Sequence, residues 1–390
     1  MNIFRSLLLL SAYIMPWIRL SPEEQVLLEL SNNAAAAKKT YAVVQKLAGL
    51  IDWQQLLALI RQNQLQAICK DSFNSPVFQS VAPEEFMRHM IADQLAIQHM
   101  SAIKKQTTAD IVRSLTNAGI RFVIMKTLPH EHVLFQAPIK IPGDLDILLP
   151  VSAVKLAAGI LTKLGYKCFW NHKKTIKNAL IHQDFYAPLS EHIFIRGNTT
   201  VELHTAIVNS SSFTSRILSD YNNRLLTQEL YNQKQHRLYH GIPVYIFSPT
   251  ALFVSLFVHL LYQHNLQSAV RYYELFRVVR TYKKSIRWDE VLRLIRTYHL
   301  IPYFHWFACL FNDLFPNSLP KDILQSALKY RASFRLPQRI LYSIMKQRLF
   351  HPSDLPFKDN EKRICWAIMN KQIFSSAVSS LRRTSIIPPL

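Results

Sequence analysis

The sequence predicts an α+β protein, in which helical regions flank a small mixed β-sheet in the middle of the chain. Three observations predict it: helix-start signals before residue 118, five short strand-like runs between residues 121 and 247, and helical periodicity after residue 248. A chain of 390 residues is also long for one ordinary core. We therefore expect helical regions at 1–118 and 248–378, an α/β core at 119–247, and a flexible tail at 379–390.

Helix-capping residues mark the first region. In "SPEEQVLLEL", Ser21 is an N-cap, Pro22 takes the first helical position and Glu24 lies three residues after the cap, which is a capping box. "DWQQLLALIRQ" repeats the pattern with Asp52 and Gln55. Breaks are predicted near Pro76 and Pro83.

The N-terminal stretch "MNIFRSLLLLSAYIMPWIRL" is apolar after one basic residue, as an export signal would be. It has no clear small-residue cleavage site, is too short to span a bilayer and is interrupted by Pro16. We expect an additional helix packed on the body, with peripheral membrane contact as the alternative.

Five runs in the middle of the chain have the β-branched and alternating pattern of strands. They are "RFVIMK" (121–126), "GDLDILL" (143–149), "HIFIRG" (192–197), "TTVELHTAIV" (199–208) and "IPVYIF" (242–247). A helix is predicted at "SAVKLAAGILTKLGY", between the second and third runs. Ser248 and Pro249 then cap and open the helix "SPTALFVSLFVHLLYQH".

Composition excludes several kinds of site. With 7 glycines in the chain, inspection finds no GxGxxG or Walker-type phosphate loop. The four cysteines are far apart and form no CxxC pair, which argues against a thiolate zinc site and a disulfide framework. We therefore predict a reducing, cytoplasmic location. The cysteines are Cys69, Cys168, Cys309 and Cys365.

The formal net charge of +21 favours a polyanionic partner, because such a field attracts phosphate groups. Nucleotides, nucleic acid and an anionic membrane surface all satisfy this condition. Basic residues are spread along the chain without an arginine-rich block or regular interleaving with aromatic residues, so no motif supports nucleic-acid binding.

Two aspartates lie within the strand-like run "GDLDILL". Side chains two apart on a strand point the same way, so Asp144 and Asp146 should share a face, and Glu202 in "VELHTAI" offers a third acid on a later strand. Hard oxygen ligands of this kind suit Mg²⁺ (or Mn²⁺), and two such ions could activate an attacking oxygen and hold a triphosphate. Without a cation, removing one of the two like charges should leave stability unchanged or raise it.

The order of these features resembles the nucleotidyltransferase superfamily, with its polymerase-beta-like fold. Gly143 precedes the acid pair, an apolar strand end and a crossover helix follow, and Glu202 lies on a later strand. More specifically, the chain resembles the bacterial family labelled uncharacterised nucleotidyltransferase. The likeness covers most of the chain through "LSPEEQVLLEL", "IDWQQLLALI", "FVIMKTLPHEHVLF", "GDLDILLP", "LGY", "VELHTAI" and "SPTALFVSLFVHLLYQHNLQSAVRYYELFRVV".

The resemblance implies roles for individual residues. It implies metal-dependent transfer of an NMP group from an NTP to an acceptor hydroxyl or phosphate. Catalytic metal ligands would be Asp144, Asp146 and Glu202. Nucleotide contacts would come from Lys126, Thr127, Gly143 and Lys140. Contacts to the acceptor or the cleft would come from His204, His259, Arg271 and Glu274.

The chain departs from the family pattern at three positions. Thr127 replaces a glycine, Lys140 stands near a usual arginine, and Glu274 replaces an aspartate. A β-branched residue restricts the approach of phosphate to the backbone, so a non-catalytic member that binds nucleotide or a partner protein is one alternative. A sugar-nucleotide glycosyltransferase with a DxD motif is another, although its nucleotide domain should come before the acid pair.

Simpler interpretations also exist for the candidate residues. The acid pair could be a solvated strand end, His259 a core histidine, and Arg271 with Glu274 an ion pair on a helix surface. His259 and His264 lie five residues apart, a poor match to the i, i+4 spacing that brings two imidazoles together on one helix face, so zinc chemistry of the HEXXH type is not supported. The acceptor, the base of the NTP and the oligomeric state are left open by the sequence.

Overall fold

The computed structural model describes residues 21–31, 37–126, 143–169, 191–208, 218–264, 266 and 268–329. Helices and a seven-stranded mixed sheet in these ranges make the protein α+β, as predicted. The predictions for the N-terminal twenty residues, Thr127, Lys140 and the tail lie outside the described residues. No helix within these ranges is long and apolar enough to cross a membrane.

The N-terminal helices begin where the capping residues predict. The backbone N–H of Ser21 donates to Glu24 Oε2 at 2.7 Å, and the N–H of Glu24 donates to Ser21 Oγ at 3.2 Å, which confirms the capping box. Asp52 accepts from the N–H of Gln55 at 3.0 Å. The helices are α1 Pro22–Ser31, α2 Ala37–Leu47, α3 Trp53–Gln62, α4 Lys70–Phe73, α5 Pro76–Val81 and α6 Glu84–Asn117, so the breaks at Pro76 and Pro83 are confirmed.

The strands form one sheet in the order β3-β4-β5-β2-β1-β7-β6. They are β1 Val123–Ile124, β2 Leu145–Leu148, β3 Lys167–Phe169, β4 Glu191–Arg196, β5 Thr199–His204, β6 Lys234–Tyr239 and β7 Ile242–Phe247. β2 pairs in parallel with β5, and β1 with β7, while the other pairs are antiparallel. Helix α7 Val154–Lys163 follows β2, and α8 Asp220–Asn232 precedes β6. All five predicted strands are confirmed, whereas β3, β6 and α8 were not predicted.

The two faces of the central strands pack into different hydrophobic clusters. Leu145, Ile147, Val201 and Leu203 join residues of α6 and α7 in one cluster. Leu148, on the other face, joins a larger cluster that also contains residues of the N-terminal and C-terminal helices. Alternation along β2 and β5 therefore places the side chains of Asp146, Glu202 and His204 on the face of this larger cluster.

The C-terminal helices are α9 Pro249–His264, α10 Ala269–Thr281, α11 Trp288–Thr297, α12 Ile301–Leu314 and α13 Lys321–Lys329. Ser248 caps α9 as predicted, because its Oγ accepts from the N–H of Ala251 at 3.3 Å. Phe253 of α9 contacts both Trp288 and Phe307, and Phe257 contacts Phe304 and Phe307. Burial of each such ring stabilises the fold by about 1.5–3 kcal/mol, so α9 is a central element of this region.

Candidate metal centre

The register between β2 and β5 places the three candidate side chains together. The two strands are parallel neighbours, with Asp146 opposite Glu202 and Leu148 opposite His204. Partners in register point to the same side of a sheet, and His204 lies two residues after Glu202 on that side. The backbone N–H of Leu149 donates to the carbonyl of His204 at 3.0 Å, which fixes the end of β5 against β2.

His204 lies between the two carboxylates. Its Nε2 is 3.0 Å from Asp146 Oδ1 and 3.2 Å from Glu202 Oε2. The side chains of His204, Asp146 and Glu202 are 7%, 6% and 15% exposed, so little water reaches them. One potential ligand atom from each residue lies within 4.8 Å of the others. The three residues, here called the sheet triad, form a group that can hold a metal ion.

Lys126 is a second basic side chain, after His204, that contacts Asp146. Its Nζ lies 2.5 Å from Asp146 Oδ1, and the N–H of the preceding Met125 donates to the Asp146 carbonyl at 2.9 Å. The backbone of Lys126 has φ +58°, in the left-handed region that costs a non-glycine residue about 1–2 kcal/mol. Strain of this kind is concentrated at functional sites. The chain thus turns sharply at the residue whose ammonium meets the buried carboxylate.

Burial and neighbouring charges shift the pKa values of all three residues of the sheet triad. Burial opposes ionisation of Asp146, but Lys126 and the hydrogen bond with His204 outweigh it and hold the pKa of Asp146 well below its usual range. Burial also opposes protonation of His204, yet its hydrogen bonds with Asp146 and Glu202 raise its pKa to about 9. Burial raises the pKa of Glu202. At neutral pH a protonated His204 therefore lies between the ionised Asp146 and Glu202.

Asp144 takes a different position from Asp146. It is exposed, precedes the first residue of β2, and is not a member of the group that can hold a metal. The carbonyl of the adjacent Gly143 accepts a hydrogen bond from the Nζ of Lys104, a buried residue of α6. The predicted pairing of the two aspartates is thus replaced by contacts of Asp146 with His204 and Lys126.

Lys104 is a contact that the sequence reasoning missed. Lysines in helices are usually solvated, and "SAIKKQTTAD" gives no reason to select this one. A signal could have been found in helical periodicity, because Lys104 falls three or four positions from its neighbours in the buried stripe of α6, which is otherwise formed by apolar and small residues. The stripe runs through Ile97, Ser101, Lys104, Thr108, Ile111 and Leu115.

The remaining candidates lie on α9 and α10. Arg271 Nη1 donates to both oxygens of Glu274, at 2.9 and 2.8 Å, so the predicted ion pair forms, but Glu274 is buried rather than on the surface. His259 Nε2 lies 3.3 Å from His264 Nε2, and the spacing argument against this contact was wrong. His264 is the last residue of α9, where the N–H of Leu266 bonds to the carbonyl of Leu260, so regular helical spacing no longer applies.

A family model described as "Uncharacterised nucleotidyltransferase" matches residues 49–316. The chain belongs to this family. The matched range contains the sheet triad, Lys126 and every strand of the described sheet, so the predicted resemblance is confirmed. No curated protein and no solved structure matches the chain. Membership in this nucleotidyltransferase family supports nucleotidyl transfer as the general chemistry.

The donor set of the sheet triad fits a divalent cation. Two carboxylates and one imidazole converge, and all three are ligands that divalent metals accept in proteins. A cation would also neutralise the repulsion between Asp146 and Glu202, which lie in register on neighbouring strands. This face of the sheet therefore carries a group of side chains that can hold a metal ion.

Proposed function

We propose that the protein is a metal-dependent nucleotidyltransferase that moves an NMP group from an NTP to an acceptor hydroxyl or phosphate. The acceptor oxygen forms a bond to the α-phosphorus, the bond from that phosphorus to the pyrophosphate breaks, and pyrophosphate leaves. One observation carries the proposal: in a chain of this family, Asp146 and Glu202 are adjacent on parallel strands and converge with His204.

Asp146 and Glu202 would hold the cation, and Asp144 would join them from the entry of β2 when the nucleotide is bound. Mg²⁺ (or Mn²⁺) in this place would polarise phosphate oxygens and neutralise charge that develops on them. The two carboxylates are fixed by the ladder between β2 and β5, so their orientation does not depend on a loop.

Lys126 would contact the phosphates. Its ammonium lies at the carboxylate of Asp146, and it would pair with an anion held by a cation at that carboxylate. Thr127, Gly143 and Lys140 are the proposed neighbours of the nucleotide, and His259, Arg271 and Glu274 the proposed contacts to the acceptor or cleft. We further propose a cytoplasmic protein, which the free thiols of Cys69, Cys168 and Cys309 support.

Thermal unfolding with nucleotides tests this function. We expect at least one of the four NTPs to raise the Tm only when Mg²⁺ or Mn²⁺ is present, because a ligand at 100 times its Kd stabilises by about 2.7 kcal/mol. Asp146→Asn and Glu202→Gln should abolish the rise. Asp144→Asn is the matched variant at the exposed position, and it should weaken the rise without abolishing it.

Product analysis then separates the alternatives. Release of pyrophosphate with a labelled NMP on an acceptor supports the transferase. Nucleotide binding without turnover, under every metal condition and with a broad panel of acceptors, would point to the non-catalytic alternative. Binding of a UDP- or GDP-sugar with sugar transfer, and no pyrophosphate, would point to the glycosyltransferase. Absence of any metal-dependent shift up to millimolar NTP would overturn nucleotide binding itself.

A further inference from the structure

We propose that His204 is itself a ligand of the cation, which makes the centre a mixed nitrogen–oxygen site that prefers a divalent first-row transition ion such as Mn²⁺ over Mg²⁺. The role of the ion in nucleotidyl transfer rests on the proposed function, whereas its binding by His204 does not. This assignment replaces the contact to the acceptor that the sequence suggested for His204.

The distances within the sheet triad match those between ligands of one ion. Ligand atoms about 2.1–2.2 Å from a metal and at right angles to each other are separated by about 3.0 Å. His204 Nε2 lies 3.0 Å from Asp146 Oδ1 and 3.2 Å from Glu202 Oε2. Nε2 faces both carboxylates and is the nitrogen that would coordinate, and the proton it shares with them would be released to water as the ion binds.

The fold gives His204 little freedom to turn away. Its backbone is paired on both sides, to Leu148 in β2 and to Glu191 in β4, and the Leu149 N–H bonds to its carbonyl. The side chain is 7% exposed. A side chain held in this way is presented to the ion already oriented, and preorganised ligands favour binding.

The donor set decides the class of ion. Mg²⁺ demands hard oxygen ligands and close to octahedral geometry. A nitrogen ligand in place of an oxygen therefore lowers the affinity of the site for Mg²⁺. Imidazole favours first-row transition ions, and carboxylates accept Mn²⁺ readily. A site of two carboxylates and one imidazole therefore selects against Mg²⁺ relative to a site of three carboxylates.

Electron paramagnetic resonance of Mn²⁺ tests the assignment directly. The full chain is stripped with a chelator, titrated with Mn²⁺ alone, and examined by pulsed methods for hyperfine coupling to nitrogen. We expect nitrogen coupling in the wild type and its loss in His204→Asp, which keeps a ligand but removes the nitrogen. The matched control is His99→Asp on the exposed side of α6, which should retain the coupling.

Competition between ions gives the second measurement. We expect His204→Asp to shift the ratio of Mn²⁺ to Mg²⁺ affinity toward Mg²⁺ by about tenfold or more. Mn²⁺ bound to the wild type without nitrogen coupling would overturn the proposal, as would failure to bind Mn²⁺ at all. If His204→Asp does not fold, His204→Gln gives the same test, because it also removes the imidazole nitrogen, and coupling that persists in a folded variant at this position would overturn the proposal.

The outcomes also separate this inference from the proposed function. Nitrogen coupling that is lost in His204→Asp, in a protein that binds no NTP, would support His204 as a ligand and contradict nucleotidyl transfer. Transfer that proceeds with Mg²⁺, in a protein whose bound Mn²⁺ shows no nitrogen coupling, would support the function and overturn the ligand role of His204.

Discussion

Two places within the described ranges of the chain set one basic side chain between two carboxylates. In the sheet triad, His204 lies between Asp146 and Glu202 on neighbouring strands. Between α8 and α11, Arg293 contacts both Glu229 and Glu290, and we call these three residues the helix triad. The sheet triad is nearly closed to water, while the side chain of Arg293 is 48% exposed.

The two triads differ in whether the central basic side chain can lose a proton. Hydrogen bonds with Glu290 and Glu229 raise the pKa of Arg293 further above its already high value, so the guanidinium stays charged at any pH the fold survives. An imidazole can lose its proton and then offers a lone pair to a metal. With similar charge patterns, the helix triad therefore links two helices, whereas the sheet triad is a candidate set of metal ligands.

The partners of the helix triad confirm its bracing role. Tyr298 donates from its hydroxyl to Glu229 Oε1 at 2.6 Å, and Gln233 donates to Glu290 Oε1 at 3.2 Å. These contacts join the end of α8 to both ends of α11. Each carboxylate accepts hydrogen bonds from Arg293 and from a neutral donor. The helix triad therefore connects two helices and leaves no carboxylate for a metal ion.

The largest difference between the two triads should appear in the free energy of unfolding when one carboxylate is removed. Asp146→Ala removes the carboxylate that faces Lys126 and His204, and breaking a buried pair from one side costs about 3–5 kcal/mol. Glu229→Ala leaves Arg293 with Glu290 at the surface and should cost about 1 kcal/mol or less. Urea unfolding in the presence of a chelator measures both. Equal costs would show that burial does not distinguish the two triads.

That expectation reverses the one drawn from the sequence. If the aspartates were an unpaired couple of like charges, removing one should have preserved or raised stability. Asp146 instead lies 2.5 Å from Lys126 Nζ and 3.0 Å from His204 Nε2, so it is the counter-charge of two cations. The premise of unpaired charges was wrong, because the sequence showed the like charge two residues away and not the partners Lys126, which follows β1, and His204 in β5.

A smaller effect should follow from Lys126→Met. Removing the ammonium beside Asp146 should raise the affinity for Mn²⁺ alone about tenfold, because a competing positive charge is lost. The same change should lower NTP affinity by about tenfold, since the phosphates lose a cationic partner. Titration of Mn²⁺ by electron paramagnetic resonance and calorimetry with NTP measure the two constants. A fall in both affinities would indicate that Lys126 supports the local fold instead.

The smallest expected effect concerns pH at the helix triad. Hydrogen bonds from Arg293 lower the pKa of Glu290, and a carboxyl with a lowered pKa stabilises the fold above its unfolded value of about 4.3. This contribution is lost as the pH falls through the pKa of the folded state. Glu290→Gln should therefore lower the free energy of unfolding by about 0.5 kcal/mol at pH 7. Below the pKa of folded Glu290 the substitution should have no measurable effect. Urea unfolding across this pH range would contradict the assignment if the difference persisted.

Local signals in the sequence predicted much of the fold. The caps at Ser21, Asp52 and Ser248 depend on neighbouring residues alone, and the structure confirms all three. Five strands were recognisable from their apolar alternation. β6 was missed because "KQHRLY" is an edge strand of exposed and partly buried residues before Tyr239, and its polar residues carry no such pattern. β3 was missed because it is only three residues long.

The candidate site was less accessible to sequence reasoning because it depends on contacts between distant segments. Alternation placed Asp144 and Asp146 on one face, but β2 begins at Leu145 and leaves Asp144 exposed outside the strand. The partnership of His204 with Asp146 spans 58 positions and follows from the pairing of β5 with β2. The contact between Lys104 and Gly143 likewise depends on how α6 crosses the sheet.

Helix α6 has a consequence for how this protein can be divided. Its 34 residues span about 50 Å, with Phe86 and Met90 in the core of the N-terminal helices and Ile111, Val112 and Leu115 under the sheet. A chain shortened to begin at residue 119 would expose the apolar underside of β1 and β2 and release Gly143 from Lys104. We therefore expect the helices before the sheet to be needed for its folding, so that residue 118 marks a change of secondary structure rather than a place where the chain can be cut.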